Sequence, residues 1–351
     1  MAPDREGVRG IPARTDLAGA LQGYYAIEVL LQLLHCGVLT RLSQPTSVEN
    51  LSQSLRLHSG ILAALLDFLS RTTDIVKRDK RARYKIDAPK IPEIVFQIEK
   101  FAGAYGPAVR ELGGVLVSER HGAIDERALS RAFAEVGADR VMKEIARQAG
   151  LKCLLDLGCG SAQLLIELAI EDPGFRGIGF EINGEMCKLA RKRSRAAGVN
   201  SRIRIYEGDG RRFGSVLSER TLRSIDAVHG RSFLNAFFRS GTDEAAAVLR
   251  EMGRLLPDRA AWFIDYYGEL GKSWRPLREC QLALLQDVAQ IASGQGVPPA
   301  DAEDWVRIYD DAGCEFSDAL QIQHPGIRTF IHQVRFPALN PANRLGRTAR
   351  A

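Results

Sequence analysis

Apolar runs of strand length alternate with amphipathic segments of helix length from about residue 150 onward. The alternation predicts strands at 152–157, 176–181, 202–206, 225–229 and 260–266, with helices at 161–170, 184–197 and 242–255. Two further runs, 315–323 and 329–336, flank Gly326 and predict a closing antiparallel hairpin. Because strands separated by helices form parallel, doubly wound sheets, we predict an α/β fold with seven strands and a ligand outside the strands' carboxyl ends.

The N-terminal third shows helical periodicity instead. Apolar residues recur at helical spacing over 18–36, a Pro-Thr-Ser cap precedes a short helix at 48–55, and a leucine-rich helix covers 61–70. Short strands at 74–77 and 83–86 then enclose a basic turn. Helix, turn, helix and hairpin are typical of a winged helix.

These patterns divide the chain into four parts. We predict a winged-helix domain at 16–90, a helical linker and cavity cover at 91–150, a ligand-binding α/β domain at 151–337 and a disordered tail at 338–351. Within the linker, a single helix is expected over Glu126 to Gln148.

The turn after the first strand of the α/β domain carries glycines at two-residue spacing. It runs Asp156-Leu157-Gly158-Cys159-Gly160 and leads into a helix. Such a turn presents backbone N–H groups beside a helix N-terminus, and glycine lets a ligand approach the main chain. Taken alone, two glycines would equally fit a turn that serves packing only.

Carboxylates end the next two strands. Glu181 follows about 20 residues on, where a carboxylate can accept both hydroxyls of a ribose. Asp209 follows the third strand, within reach of an adenine amino group. The dinucleotide-binding fingerprint requires a third glycine where this chain has Gln163, which disfavours NAD and FAD.

Together these residues resemble the class I methyltransferases that use S-adenosylmethionine (SAM). In that resemblance Asp156, Gly158 and Gly160 form the first cofactor motif, Glu181 binds the ribose and Asp209 contacts the adenine. A winged helix ahead of such a domain resembles the small-molecule O-methyltransferases of plants and bacteria, in which it serves as a dimerisation module. The resemblance covers about residues 18–336 and implies a Rossmann-like methyltransferase domain, a SAM cofactor and a homodimer.

The segment after the fourth strand departs from that family. Residues 226–237 resemble the motif Asp-Ala-x-x-x-Lys-x-x-Leu-His-Asp-Trp, with Arg231 in place of the lysine near the cofactor. Asn235 stands where the family has its catalytic histidine, and Ala236 where it has aspartate. Asparagine cannot accept a proton at neutral pH. The change also weakens a 2-oxo-acid C-methyltransferase interpretation, in which a His-Asp pair at this place holds a metal.

Two routes for methyl transfer follow from the missing histidine. Either another side chain is the base, or the acceptor needs none, as holds for a carboxylate or a neutral amine. The candidate bases are His229, His324, His332 and Tyr266. His229 ends a strand beside the predicted cofactor site, where it is either the base or an orienting hydrogen-bond partner. We name His229 and Asn235 as the candidate catalytic residues.

Aromatic side chains cluster near the same strand ends. They are Phe233, Phe237, Phe238, Tyr266, Tyr267 and Trp274, followed by the segment 275–291. They would line a pocket for a flat, apolar acceptor or belong to the core between domains.

Composition excludes several other classes. The net charge of +5 comes from 48 basic and 43 acidic residues, too mild a bias for a nucleic-acid coat. Six cysteines without a Cys-x-x-Cys pair suggest neither zinc nor disulfides, and indicate a reducing cytoplasm. The longest apolar stretch, 24–34, is short for a membrane span, and no targeting segment is evident.

The basic wing at 77–83 offers phosphate contacts, but the helix before it has no base-reading side chain ahead of Arg71. Nucleic-acid binding is therefore disfavoured. We predict a cytoplasmic, homodimeric, SAM-dependent methyltransferase without a metal, acting on a small biosynthetic intermediate. Oxygen is the favoured acceptor atom, and nitrogen or carbon are alternatives. A winged-helix regulator that binds SAM as a signal, without catalysis, is the alternative from a different class.

Overall fold

The computed structural model describes residues 15–118, 121–134, 136–271 and 275–338. It divides into two compact units, with the boundary between Pro107 and Ala108. The segment predicted as a linker, 91–150, is therefore shared between the two units, and its role as a cavity cover stays a prediction. Trp274 and nearly all of the predicted tail lie outside the described residues.

The first unit is helical with one short hairpin. Its elements are α1 (Leu17–His35), α2 (Val38–Arg41), α3 (Val48–Leu55), α4 (Ser59–Thr72), β1 (Lys77–Arg78), β2 (Tyr84–Lys85), a 3₁₀ turn (Ala88–Lys90), α5 (Ile91–Gln97) and a π-helical turn (Ile98–Ala104). Ser47 caps α3 by accepting from the backbone N–H of Asn50, as its sequence predicts. The order of two helices and a hairpin is as expected, and the winged-helix assignment stays an interpretation.

Helix α1 is buried on one side only. Its C-terminal half packs Leu30 and Leu33 into the core of the unit. Its N-terminal half leaves four large apolar side chains largely exposed: Leu17, Leu21, Tyr24 and Tyr25. By length and composition this helix could cross a membrane, which corrects the prediction that the apolar stretch is too short. One helix of this kind near an N-terminus is weak evidence for a span.

The second unit is built on a sheet of seven strands. They are β3 (Cys153–Leu157), β4 (Arg176–Glu181), β5 (Ile203–Glu207), β6 (Ala227–Arg231), β7 (Ala260–Tyr266), β8 (Glu315–His324) and β9 (Ile327–Arg335). Their order is β5-β4-β3-β6-β7-β9-β8, with β3 to β7 parallel and β9 antiparallel to both of its neighbours, β7 and β8. The predicted doubly wound sheet with its closing hairpin is confirmed.

Helices precede and separate these strands along the chain, and the first of them spans the boundary between the units. They are α6 (Gly106–Arg110), α7 (Leu112–Ser118), α8 (Glu126–Ala132), α9 (Arg140–Gln148), α10 (Gln163–Glu171), α11 (Gly184–Ala196), α12 (Phe213–Val216), α13 (Glu219–Arg223), α14 (Asp243–Leu255), α15 (Leu277–Ala292) and α16 (Ala302–Asp311), with 3₁₀ turns at Gly210–Arg212 and Leu234–Phe237. The single helix predicted over Glu126 to Gln148 is wrong. Asp139 starts a new helix by accepting from the backbone N–H groups of Val141 and Met142, and so interrupts the run.

The strand register places the predicted site residues side by side at the carboxyl ends of the parallel strands. Leu157 of β3 lies opposite Phe180 of β4, and Glu181 lies opposite Glu207 of β5. The four parallel strands nearest the centre thus end side by side, with Arg231 closing β6. Apolar clusters fill both faces of the sheet, so polar side chains at this edge stand on a rigid support.

Candidate active site

The glycine turn begins where the fully buried strand β3 ends. Gly158 and Gly160 have φ of +69° and +54°, in the left-handed region that favours glycine. A Cβ on Gly160 would come within 3.2 Å of the Met186 methyl group. Between the glycines, the backbone N–H of Cys159 donates to the carbonyl of Phe180 and fixes the turn to β4. The turn therefore forms a bare backbone cradle ahead of α10, as predicted from its spacing.

Glu181 closes this cradle from the next strand. Its Oε2 accepts from the backbone N–H of Gly160 at 2.8 Å, and its Oε1 accepts from that of Asn183 at 2.8 Å. Burial raises the pKa of this carboxyl against the lowering effect of those two bonds. Each carboxylate oxygen keeps a second lone pair for a ligand hydroxyl. A hydrogen bond thus joins the Glu181 carboxylate at the end of β4 to the glycine turn that follows β3.

A cavity of about 320 Å³ opens beside these strand ends. Its lining consists of Phe180, Tyr206, Glu207, Gly208, Asp209, Arg212 and Val216. The rings of Phe180 and Tyr206 stack at 5.0 Å, which makes part of the lining flat and apolar. The cavity lies where the sequence predicts the adenine.

Asp209 lies in the cavity wall, but its carboxylate is already engaged. Arg211 approaches it with Nε at 2.8 Å and Nη2 at 2.7 Å, and the backbone N–H of Arg211 donates to Oδ1. Burial raises the pKa of Asp209, but the Arg211 bonds and charge outweigh it and the net shift is downward. An adenine contact through this carboxylate requires Arg211 to turn away, and the assignment stays a prediction.

Asp156 and His229 are bonded to each other. They lie opposite one another in β3 and β6, and His229 Nδ1 is 2.7 Å from Asp156 Oδ1 with both side chains buried. In the tautomer that donates from Nδ1 to this carboxylate, a neutral ring presents Nε2 as an acceptor. Nε2 is buried and has no partner among the described residues. The pair has the arrangement in which a carboxylate orients a histidine base.

Asn235 lies in the 3₁₀ turn after β6 and is buried. Its backbone N–H donates to Asp265 Oδ2 at 3.1 Å, and Asp265 Oδ1 accepts from the backbone N–H of Tyr266. Burial raises the pKa of Asp265 to about 7, despite these donors. A carboxyl that changes charge near neutral pH therefore lies directly behind the position that the family gives to a histidine.

Arg231 ends β6 with its side chain half exposed, and its nearest acid is Asp139 Oδ2 at 3.9 Å. The predicted aromatic lining is mostly core instead. Phe233, Phe237, Phe238 and Tyr267 belong to the apolar cluster on one face of the sheet. Tyr266 and Tyr267 have polar partners. The Tyr266 hydroxyl bonds to the side chains of Asp287 and Gln290 on α15, and the Tyr267 hydroxyl bonds to His332.

The remaining candidate bases lie elsewhere. His332 is fully buried between the hydroxyls of Tyr267 and Tyr309, and burial lowers its pKa to about 3. His324 is exposed at the end of β8. Packing explains His332 and solvent exposure explains His324, so His229 is the histidine that the sheet places near the cofactor turn.

Sequence reasoning missed Asp265 and the polar side of α15. Asp265 is a single acid inside the apolar run Trp262 to Tyr266, and that isolation was the available signal. Among the described residues, no group of three or more potential metal ligands comes together.

Comparison with known proteins agrees with this geometry. Residues 150–313 match the family model described as a methyltransferase domain. A release factor glutamine methyltransferase of Chlorobaculum tepidum is 33% identical over 91 residues, which cover 24% of this chain and 31% of that protein. The corresponding enzyme of Caulobacter vibrioides is 30% identical over 79 residues, or 22% of this chain and 27% of its own. The chain thus spans less than a third of the curated relatives it matches.

Similar structures extend over both units. The mitomycin 7-O-methyltransferase MmcR aligns with a TM-score of 0.64 at 17% identity, covering 91% of this chain and 96% of its own. PigF, in a structure with SAH, aligns with a TM-score of 0.64 at 15% identity over 90% of this chain and 98% of its own. At these identities the likeness establishes the fold. Residues 150–313 thus match a methyltransferase domain, and the chain shares its fold with solved structures such as that of the mitomycin 7-O-methyltransferase MmcR.

Proposed function

We propose that this protein is a SAM-dependent methyltransferase that acts on a small-molecule acceptor. The observation that carries the proposal is the contact between Glu181 and Gly160, which joins the ribose-type acid to the glycine cradle. The match to a methyltransferase domain and the SAH in the PigF structure support SAM as the cofactor.

The residues at the sheet edge fit this cofactor. The turn at Gly158 and Gly160 leaves room that a Cβ would reduce, Glu181 retains acceptor sites for two hydroxyls, and the cavity at Asp209 has a stacked aromatic wall. Arg231 stands at the end of β6 and would face the same ligand. When bound, SAM supplies an electrophilic methyl group that needs no further activation.

The chain's own groups then orient the acceptor and exclude water. We propose that His229 is the base, because Asp156 holds its Nδ1 proton and leaves Nε2 unpartnered. Asn235, fixed by Asp265, would position the acceptor by a hydrogen bond. In this proposal, His229 and Asn235 together take the place of the single catalytic histidine of the family.

Oxygen remains the favoured acceptor atom, since the fold is shared with O-methyltransferases. An N- or C-methyltransferase acting on a small metabolite is the alternative, because an acceptor that arrives neutral or deprotonated needs less help from a base. Asn235 and Ala236 replace the His-Asp pair of the 2-oxo acid type and disfavour that version. A biosynthetic intermediate as substrate and a cytoplasmic location are part of the proposal.

A regulator that binds SAM without catalysis is the second candidate, and Asn235 is the observation that favours it. Against it, the basic wing is already paired with acids. Lys77 bonds to Asp87 at 2.9 Å, and Arg78 bonds to Asp67 at 2.9 Å. Arginines and lysines engaged in this way have less to offer a phosphate backbone.

The deciding experiment measures release of S-adenosylhomocysteine from SAM across a panel of phenols, amines and carboxylic acids. Turnover with any acceptor, lost in Glu181→Ala, supports the enzyme. SAM binding without turnover, together with binding of duplex DNA at physiological salt, supports the regulator.

A further inference from the structure

Helix α15 turns polar side chains toward the protein interior. Gln286 is 7% exposed, and Asp287 and Gln290 are fully buried. Their spacing places all three on neighbouring positions of one helix face. Buried polar side chains normally have partners, so each of these needs an explanation.

Tyr266 connects this face to the carboxyl edge of the sheet. It is the last residue of β7, and its hydroxyl lies 2.8 Å from Asp287 Oδ1 and 3.1 Å from Gln290 Oε1. The residue before it, Asp265, holds the backbone N–H of Asn235. Consecutive residues at the carboxyl end of β7 therefore hold Asn235 and the polar face of α15.

Gln290 has one polar atom without a partner whichever way its amide is turned. The Tyr266 hydroxyl has a single proton. If it donates to Asp287, the amide of Gln290 can only donate to the phenolic oxygen, and its carbonyl is left over. If it donates to Gln290 Oε1, the amide nitrogen is left over, as in this structure.

Gln286 has a second buried polar atom without a hydrogen-bond partner. Its Oε1 is buried and has no partner among the described residues. Unsatisfied buried groups destabilise a fold, and their retention points to a ligand that satisfies them.

Cations do not fill this need. Arg275 and Arg328 both direct a guanidinium to Glu269, with Nη2 at 2.5 Å and 3.4 Å from Oε1. Asp287 receives the backbone N–H groups of Glu269 and Leu270. Arg275 Nε and Arg328 Nε are also buried without a partner among the described residues, so these two donors have unused hydrogen-bonding capacity as well as Gln286 and Gln290.

We propose that Gln286 and Gln290 bind the acceptor molecule through an N–H donor next to a carbonyl, as in a carboxamide. Gln286 Oε1 requires a donor, and a carboxamide matches Gln290 in either amide orientation. This replaces the flat, apolar acceptor expected from the sequence with a polar one. It rests on the proposed function only in naming the ligand as the methyl acceptor.

Stability separates a ligand-binding role from a structural one. Gln286→Met and Gln290→Met keep the volume and remove the unsatisfied atoms, so both variants should unfold at the same temperature as the wild type or higher. Tyr266→Phe removes a bond that the fold does make and should unfold at a lower temperature. Clearly lower unfolding temperatures for both methionine variants would show structural roles and overturn the proposal.

Ligand binding is tested with primary aryl carboxamides of one, two and three rings, each beside its N,N-dimethyl amide. Dissociation constants are measured by NMR titration of the full chain, with and without S-adenosylhomocysteine. At least one primary amide should bind about tenfold more tightly than its dimethyl partner, and Gln290→Met should abolish that preference. No preference in any pair, or a preference that survives in both methionine variants, overturns the proposal. Failure of S-adenosylhomocysteine to bind would contradict the proposed function instead, and the titrations without it still decide the role of the glutamines.

Discussion

Three carboxyl groups at the same sheet edge have different electrostatic surroundings. Burial raises the pKa of Glu181, the Arg211 guanidinium holds the pKa of Asp209 down against burial, and burial brings the pKa of Asp265 to about 7. Among the described residues, the Glu181 carboxylate accepts from backbone N–H groups, whereas Asp209 pairs with a side-chain cation. Glu181 is therefore the acid with acceptor capacity to spare, and Asp265 the one that titrates near neutral pH.

We expect Glu181→Ala to weaken SAM binding by about tenfold or more, because two ribose hydroxyls would lose their acceptor at about 1.5–3 kcal/mol. Calorimetric titration measures this directly. Glu181→Gln keeps the size and one acceptor, and should lose less affinity. The thermal midpoint of each variant monitors the glycine turn, which also depends on Glu181. Unchanged SAM affinity in the alanine variant would remove the ribose assignment.

The two candidate catalytic residues should differ in the size of their effects. Asn235→Ala should slow turnover by roughly tenfold, the value of one positioning hydrogen bond. His229→Ala removes the proposed base and should slow it about a hundredfold or more. Single-turnover rates at saturating SAM separate the two.

Equal, small losses in both variants would mean that neither position holds a base and that the acceptor arrives deprotonated. Abolished turnover in Asn235→Ala alone, with SAM still bound, would contradict this account of the site. Asp156→Asn keeps the histidine and changes the group that orients it, and SAM binding is measured alongside because Asp156 also belongs to the predicted cofactor motif.

Secondary structure elements were predictable where local pattern decides them. The strands of the sheet, the glycine turn and the closing hairpin follow from apolar runs and breakers, and all are present. The break between α8 and α9 was not predictable from local pattern, because a capping bond by Asp139 overrides the helical periodicity around it. The pairing of Asp156 with His229 could not be predicted either. It depends on β3 and β6 being neighbours in register, and strand order is a tertiary property.

One prediction concerns the antiparallel strand β9, where His332 is buried with a pKa near 3. The unfolded chain has an ordinary histidine pKa of about 6.5, so it binds more protons than the folded chain between these values. The free energy of unfolding must therefore fall as pH drops through this window. At pH 5, about 1.5 units below the unfolded pKa, the loss amounts to about 2 kcal/mol, from about 1.36 kcal/mol per unit of pH.

Urea unfolding at pH 7 and pH 5 tests this. His332→Phe should be less stable at pH 7, because the hydroxyls of Tyr267 and Tyr309 lose their ring-nitrogen partners. Its difference between the two pH values should nevertheless be smaller than that of the wild type by about 2 kcal/mol. His324→Gln, at an exposed position, is the control and should leave the difference unchanged. An unaltered difference in His332→Phe would exclude His332 as its source.

At the scale of the whole molecule, the candidate site and the exposed apolar face of α1 lie in different units. The site residues considered above all lie after the boundary at Ala108, whereas the exposed apolar half of α1 lies before it. Sequence pattern indicated both units and, in the apolar faces of 18–36 and 61–70, more apolar surface than the N-terminal domain can bury, but periodicity does not show which side chains stay uncovered. We propose that a second copy of the chain covers this face. The homodimer expected from the sequence would then form through the N-terminal unit.

This assembly predicts a dimer at micromolar concentration by light scattering. Leu21 and Tyr25 are 51% and 60% exposed one helical turn apart, so Leu21→Glu combined with Tyr25→Glu should leave the fold intact and yield monomers. Ile170→Glu, at 56% exposure in the other unit, is the matched control and should remain dimeric. A monomeric wild type, or a double variant that still dimerises, would contradict the proposal.

Because α1 also satisfies the length and composition of a membrane span, sedimentation with lipid vesicles is measured in parallel. Vesicle binding by the wild type that the double variant loses would assign this face to a membrane surface rather than to a second copy.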